Sequence, residues 1–150
     1  MKVEKAENLT RIARLMDTIR DIRKAMRSHF MKKMKGHHID VTIEMLEVLY
    51  ILWDKDNINQ QEIVDKTNRN RASITSLIDN MAVRGLVQRK PDPTDRRVNL
   101  IALTKEGEGY RKKLTPLLEE VYGAFQADIS PEELENTINV LHKIYHKMIE

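Results

Sequence analysis

From Leu9 to Phe30 the apolar residues fall at Leu9, Ile12, Met16, Ile19, Met26 and Phe30, with Ile22 close beside them. Steps of three and four sustained over this length predict one long amphipathic helix, because residues so spaced share a face. Its other face is rich in Arg and Lys, and the pattern breaks at Gly36. Ile43, Leu46, Leu49, Tyr50 and Trp53 predict a second helix that ends at "DKDN". Asn59 with Glu62 three residues on has the form of a capping box, opening a short third helix that carries Ile63 and Val64. Asn70 is a candidate N-cap for a fourth helix, on which Ile74, Leu77, Ile78 and Met81 share one face. Gly85 follows where a helix C-terminal glycine belongs. "LVQRK" and "RVNLIAL", separated by a turn containing Pro91 and Pro93, then read as a β-hairpin.

Thr104 is placed to cap a further helix with a stripe of Tyr110, Leu114, Leu117, Leu118, Val121 and Phe125. Pro116 lies inside it and is expected to kink or interrupt it, by removing a backbone donor and crowding the preceding turn. Ser130, Pro131 and Glu133 supply a cap, a first-position proline and a capping-box acid for the last helix. On it Leu134, Ile138, Leu141, Tyr145 and Met148 recur at a coiled-coil-like spacing. The predicted fold is mainly α with a small β-hairpin wing: a winged helix–turn–helix between N- and C-terminal helices. Both end helices are amphipathic, and one protomer offers no obvious second layer to cover both. Pairing across a two-fold axis with a second copy would bury the stripes, so a homodimer is expected.

The rest of the composition narrows the setting. The 150 residues suit one domain with a real core. No stretch approaches the roughly 18 apolar residues of a membrane span, and the charged N-terminus has no apolar signal-peptide core. With no cysteine there are no disulfides, thiol redox sensors or thiolate metal sites. A cytoplasmic location and no membrane partner are the expectation.

Charge adds a partner. The net +3 is distributed in blocks: residues 1–35 carry eleven Lys/Arg against four Asp/Glu, and residues 66–97 carry eight against three. Such blocks suggest a polyanion. Opposite the apolar face of the fourth helix lie Arg71, Ser73, Thr75, Ser76 and Asp79. Short polar side chains let a helix sit deep in the major groove, where hydroxyls meet base edges or phosphates. Ser and Thr are poor interior helix formers, so several together need a reason. Asn68 and Arg69, just before the helix, are candidates to hold backbone phosphates. At the hairpin tip Arg97 fits the narrow, negative minor groove, Arg96 a phosphate, and Asp95 can orient the Arg97 guanidinium.

These residues resemble a known family. "RGLVQRKPDPTDRRVNLIALTKEG", positions 84–107, is similar to the wing signature of the multiple antibiotic resistance regulator (MarR) family. There an Asp–x–Arg at the wing tip precedes an apolar strand and Leu–Thr, matched here by Asp95, Arg97, Leu103 and Thr104. The order of six helices with a central wing resembles the family over nearly the whole chain. The resemblance implies one MarR-like domain over residues 1–150, with dimerisation helices at about 4–34 and 105–149 and a winged helix–turn–helix at about 42–104. It implies a homodimeric transcription regulator that binds pseudo-palindromic double-stranded DNA, with a repressor expected. Helix 71–84 would enter the major groove and wing 86–103 the minor groove. It also implies release by a small aromatic or phenolic effector bound between dimer stalk and DNA-binding lobe, for which His29, Phe30, His38, Met45 and Trp53 are the candidates.

Other readings are weaker. His142 and His146 have zinc-binding spacing, yet no third ligand is evident, so neither a metal nor another cofactor is expected. Ser73, Ser76 and Ser130 lack a nucleophile-elbow context, and five glycines form no phosphate loop, so no enzyme is expected. The alternative of a different class is a winged helix that binds RNA or protein without operator binding.

Overall fold

The computed structural model describes residues 2–95 and 99–150, and side chains from residue 6 onward. The elements are α1 (Lys2–Gly36), α2 (Ile43–Asp54), β1 (Ile58–Asn59), α3 (Gln60–Thr67), α4 (Arg71–Val83), β2 (Val87–Pro91), β3 (Asn99–Leu103), α5 (Lys105–Gln126) and α6 (Pro131–Ile149). They form two compact units, one reaching Leu114 and one running Thr115–Glu150.

Helices α2 to α5 each start where a side-chain oxygen can accept an orphan amide of the first turn. The Met45 amide donates to Thr42 Oγ1 at 3.2 Å, Glu62 to Asn59 Oδ1 at 2.9 Å, Ser73 to Asn70 Oδ1 at 2.8 Å and Gly107 to Thr104 Oγ1 at 3.1 Å. Gly85, with φ of 69°, ends α4, where the Leu86 amide donates to Met81 O at 2.9 Å and the Gly85 amide to Ala82 O at 3.0 Å. This paired closure requires a left-handed residue, which glycine adopts without a Cβ penalty. The end of α1 differs from expectation. Gly36 is its last helical residue, and the left-handed position falls on His38, with φ of 53°. The same two-bond closure forms there, from Ile39 to Met34 O at 2.9 Å and from His38 to Lys35 O at 3.3 Å.

The wing is the expected hairpin, with β2 antiparallel to β3 from Val87↔Leu103 to Pro91↔Asn99. Sequence reasoning missed β1, which pairs antiparallel with β3 through Ile58↔Ile101 and makes a three-stranded sheet in the order β1-β3-β2. The core of this unit joins Leu46, Leu49 and Leu52 of α2, Ile63 of α3, and Ile74, Ile78 and Met81 of α4, all buried. Ile58, Leu86, Val87 and Ile101 close it from the sheet side. Each such aliphatic side chain stabilises the fold by about 1.5–3 kcal/mol relative to leaving it in water. Gly107 permits one close approach, since a Cβ there would collide with the Leu86 carbonyl oxygen.

Pro116 does not interrupt α5, which is continuous from Lys105 to Gln126. Pro116 and Lys112, whose carbonyl loses its usual donor, are both exposed, so water can take the donor's place. In the second unit, Ser130 and Glu133 form the reciprocal capping box with Pro131 in the first turn. No residue of α6 is buried, and Leu134, Ile138, Leu141, Tyr145 and Met148 are all exposed. Among the described residues no helix is long and apolar enough to cross a membrane.

Candidate nucleic-acid interface

The approach to α4 is a tight, braced turn. Asn68 caps α3 in the left-handed region with φ of 51°, which asparagine tolerates better than most residues. Arg69 folds toward α2, its Nη2 donating to Glu47 Oε2 at 3.0 Å, while its Nε is buried without a hydrogen-bond partner. Arg69, expected as a phosphate contact, therefore has part of its fork engaged in holding the turn.

On the outer face of α4, Arg71, Ser73 and Ser76 are exposed, and their side chains have no partner among the described residues. Thr75, expected to face DNA, is instead a pin between helices. Its hydroxyl donates to Arg71 O at 2.9 Å and accepts from Gln60 Nε2 at 2.6 Å. Asp79 pairs with Arg89 of β2 at 2.7 Å, tying the wing to the helix. Both are partly exposed, so the pair adds little stability and contributes orientation.

The turn after β2 is organised by Asp92, whose Oδ1 accepts from the Thr94 amide at 2.7 Å, the Thr94 hydroxyl at 2.6 Å and the Asp95 amide at 3.3 Å. Those donors, the Thr94 hydroxyl first, hold the Asp92 carboxyl below the usual carboxylate range. Arg96 and Arg97, and with them the expected pairing of Asp95 with Arg97, lie outside the described residues.

The five effector candidates do not gather in one pocket. A groove of about 610 Å³ is lined by Arg27, Met31, Met34 and Lys35 of α1, by the 38–42 linker, and by Ile43 and Glu44 of α2; of the five it takes in only His38. His29 is exposed, Phe30 is half-buried and Met45 belongs to the core. Trp53 lines a second cavity of about 510 Å³ and donates its indole N–H to Gly107 O at 3.2 Å, a packing role that sequence could not reveal. Within the groove Arg27 Nη2 meets Glu44 Oε1 at 2.7 Å. That hydrogen bond holds the Glu44 carboxyl below its ordinary range. The pair is therefore intact at neutral pH and is lost only as pH falls through the lowered value. On α6 the His142 and His146 rings lie 6.5 Å apart, and no group of three or more His, Cys, Asp or Glu that could hold a metal is present among the described residues.

The model of the MarR family matches residues 41–98, from the α1–α2 linker through the wing loop. The transcriptional regulator HosA of Escherichia coli O111:H- is 30% identical over 105 residues, covering 70% of this chain and 78% of HosA. The chain belongs to the MarR family. A further MarR-type relative, the homoprotocatechuate degradative operon repressor of Escherichia coli, is 26% identical over 121 residues, covering 81% of this chain and 80% of that protein. The fold is shared with a mutant of Escherichia coli MarR solved in complex with operator DNA, at a TM-score of 0.78 and 19% identity, over 89% of this chain and 95% of that one. The protein is thus a MarR-family transcriptional regulator with a winged-helix fold, and not an enzyme. Four residues of this MarR-type lobe escaped sequence reasoning as site-forming groups: Glu47, Gln60, Arg84 and Arg89. Each acts through a partner at least ten residues away, which no local pattern signals.

Proposed function

We propose that this regulator is a homodimeric repressor that binds a pseudo-palindromic operator, with α4 in the major groove and wing 86–103 in the minor groove. The observation that carries the reading is the outer face of α4, where Arg71, Ser73 and Ser76 stand exposed and unpartnered among the described residues beside a hairpin that Asp79 and Arg89 tie to the helix. Asn68 and Arg69 would hold phosphates at the approach to α4, and Arg96 and Arg97 would serve the wing's contact with DNA. Helices at about 4–34 and 105–149 form the dimer stalk of a single MarR-type domain, and the exposed α6 stripe supports this role. The named operon repressor among the relatives and the operator complex of Escherichia coli MarR support repression and DNA as partner.

Phosphate neutralisation by these cations makes log affinity fall linearly with log salt, with a slope near −0.9 for each phosphate neutralised. A salt titration of the protein on duplex DNA by fluorescence anisotropy tests this; a flat response would contradict it. Release by a small aromatic or phenolic anion is the second half of the reading, and the α1–α2 groove is the site that suits it. Its walls are largely apolar, and an anion can compete with Glu44 for Arg27. To act, the ligand must favour one arrangement of the recognition helices over another. Salicylate added to the complex at neutral pH should weaken DNA binding, by competing with the intact Glu44 carboxylate for Arg27. An unchanged affinity would remove effector release by this anion class.

A further inference from the structure

Arg84 sits at the C-cap of α4, immediately before Gly85. A basic residue at the end of a recognition helix invites the reading of one more phosphate contact. Its guanidinium turns the other way. Nη2 donates to the Asp40 backbone carbonyl and, at 2.9 Å, to Asp40 Oδ2, while Nη1 lies 3.7 Å from Met45 Sδ. Asp40 belongs to the linker between α1 and α2, which also supplies His38, Ile39, Val41 and Thr42 to the groove wall. The linker carries its own strain, because His38 holds a left-handed conformation that costs a non-glycine residue energy. Whatever occupies the groove therefore touches the segment that Arg84 grips.

We infer that Arg84 is a positioning residue that couples the linker wall of the groove to the C-terminal end of the recognition helix, and is not a DNA contact. The inference rests on the reading of α4 as the DNA-reading helix. The tether suits transmission better than rigid support. The Asp40 carboxylate is 93% exposed and the Arg84 side chain 29% exposed, so solvent screens their attraction. A contact of that kind opens readily, and two arrangements of the linker then correspond to two positions of the α4 end.

The test uses the full chain and two variants, Asp40→Ala and Arg84→Met. Amide hydrogen exchange in the free protein reads the coupling directly. Each variant should raise exchange by about two- to fivefold both at residues 37–43 and at residues 80–87, the size expected for losing one solvent-screened tether. If Asp40→Ala leaves residues 80–87 as protected as in the wild type, the coupling is wrong. DNA binding separates positioning from phosphate contact. Asp40→Ala removes a negative charge near DNA, so a phosphate-binding Arg84 predicts equal or tighter binding, whereas positioning predicts binding about tenfold weaker with an unchanged salt slope. A salt slope reduced by about one per protomer in Arg84→Met would overturn the inference in favour of a phosphate contact. Failure of the underlying DNA reading looks different: the wild type would then bind no duplex preferentially, whatever the exchange result, and the positioning role would fall with it.

Discussion

The Leu141→Lys variant is expected to sediment as monomer or aggregate under conditions where the wild-type protein sediments as a dimer. On α6, Leu134, Ile138, Leu141, Tyr145 and Met148 are 45%, 43%, 37%, 58% and 70% exposed in the single chain, a continuous apolar row left to water. Rows of this length on a helix are normally covered, and a coiled-coil-like spacing suits a second helix. Leu141 lies near the middle of the row, so in a dimer its position becomes dry. A lysine there would bury an unpaired ammonium, at a cost of several kcal/mol. Because no residue of α6 is buried within the protomer, the same substitution should leave the winged lobe folded, with its helical circular dichroism intact. A stable dimer of unchanged mass would remove Leu141 from the interface.

Loss of the wing-tip arginine should be larger still in its effect on DNA. Arg97→Ala removes a side chain that the sequence pattern puts in the polar loop between β2 and β3, so stability is expected to change by no more than about half a kcal/mol. Each protomer would lose a minor-groove contact of roughly 1–3 kcal/mol, and two protomers double it. Affinity for a cognate duplex should then fall by up to several powers of ten. Asp95→Ala supplies the discriminating sign. Removing a negative charge should tighten DNA binding if only net charge matters. If Asp95 orients the Arg97 guanidinium, binding should weaken instead. The turn that leads into this tip is fixed independently by Asp92 through Thr94 and the Asp95 amide, so the Asp95 side chain can be removed without dissolving the turn. Tighter binding by Asp95→Ala would sink the orienting role, and unchanged binding by Arg97→Ala the minor-groove role.

What the sequence made legible follows from how local each signal is. The caps at Asn59, Asn70 and Ser130 each join residues three apart, and all three form the expected hydrogen bond. The helical stripes and the glycine at Gly85 are equally local. β1 was invisible because two residues, Ile58 and Asn59, become a strand only by pairing with β3 some forty positions later. Arg69 read as a free cation until Glu47, 22 residues away, was placed beside it. Thr75 read as a groove-facing hydroxyl, and Gln60 turns it into a pin. Pro116 read as a helix breaker because its lost hydrogen bond was costed without knowing that the position faces solvent. Trp53 and Met45 are effector candidates only through the family resemblance, which no pattern in the sequence fixes; Met45 is buried in the core and Trp53 lines a different cavity from the one that takes in His38. Arg71, Ser73 and Ser76, which the sequence offers as DNA contacts, are exposed and have no long-range partner among the described residues to redirect them.

Operator recognition by two lobes at once is measured most directly by comparing duplexes. A preferred sequence is first selected from a random pool of double-stranded DNA. Anisotropy titrations then compare that full duplex with a single half-site, with an unrelated duplex, and with single-stranded DNA and RNA of the same length. The selected sequence should contain inverted half-sites about one helical turn apart, as two symmetry-related recognition helices require. One dimer should bind it at least about a thousandfold more tightly than the unrelated duplex, and the half-site alone should lose most of that margin. Equal affinity for single strands and unrelated duplexes, or a selected sequence without inverted repeats, would contradict operator binding and favour a winged helix that serves RNA or protein partners.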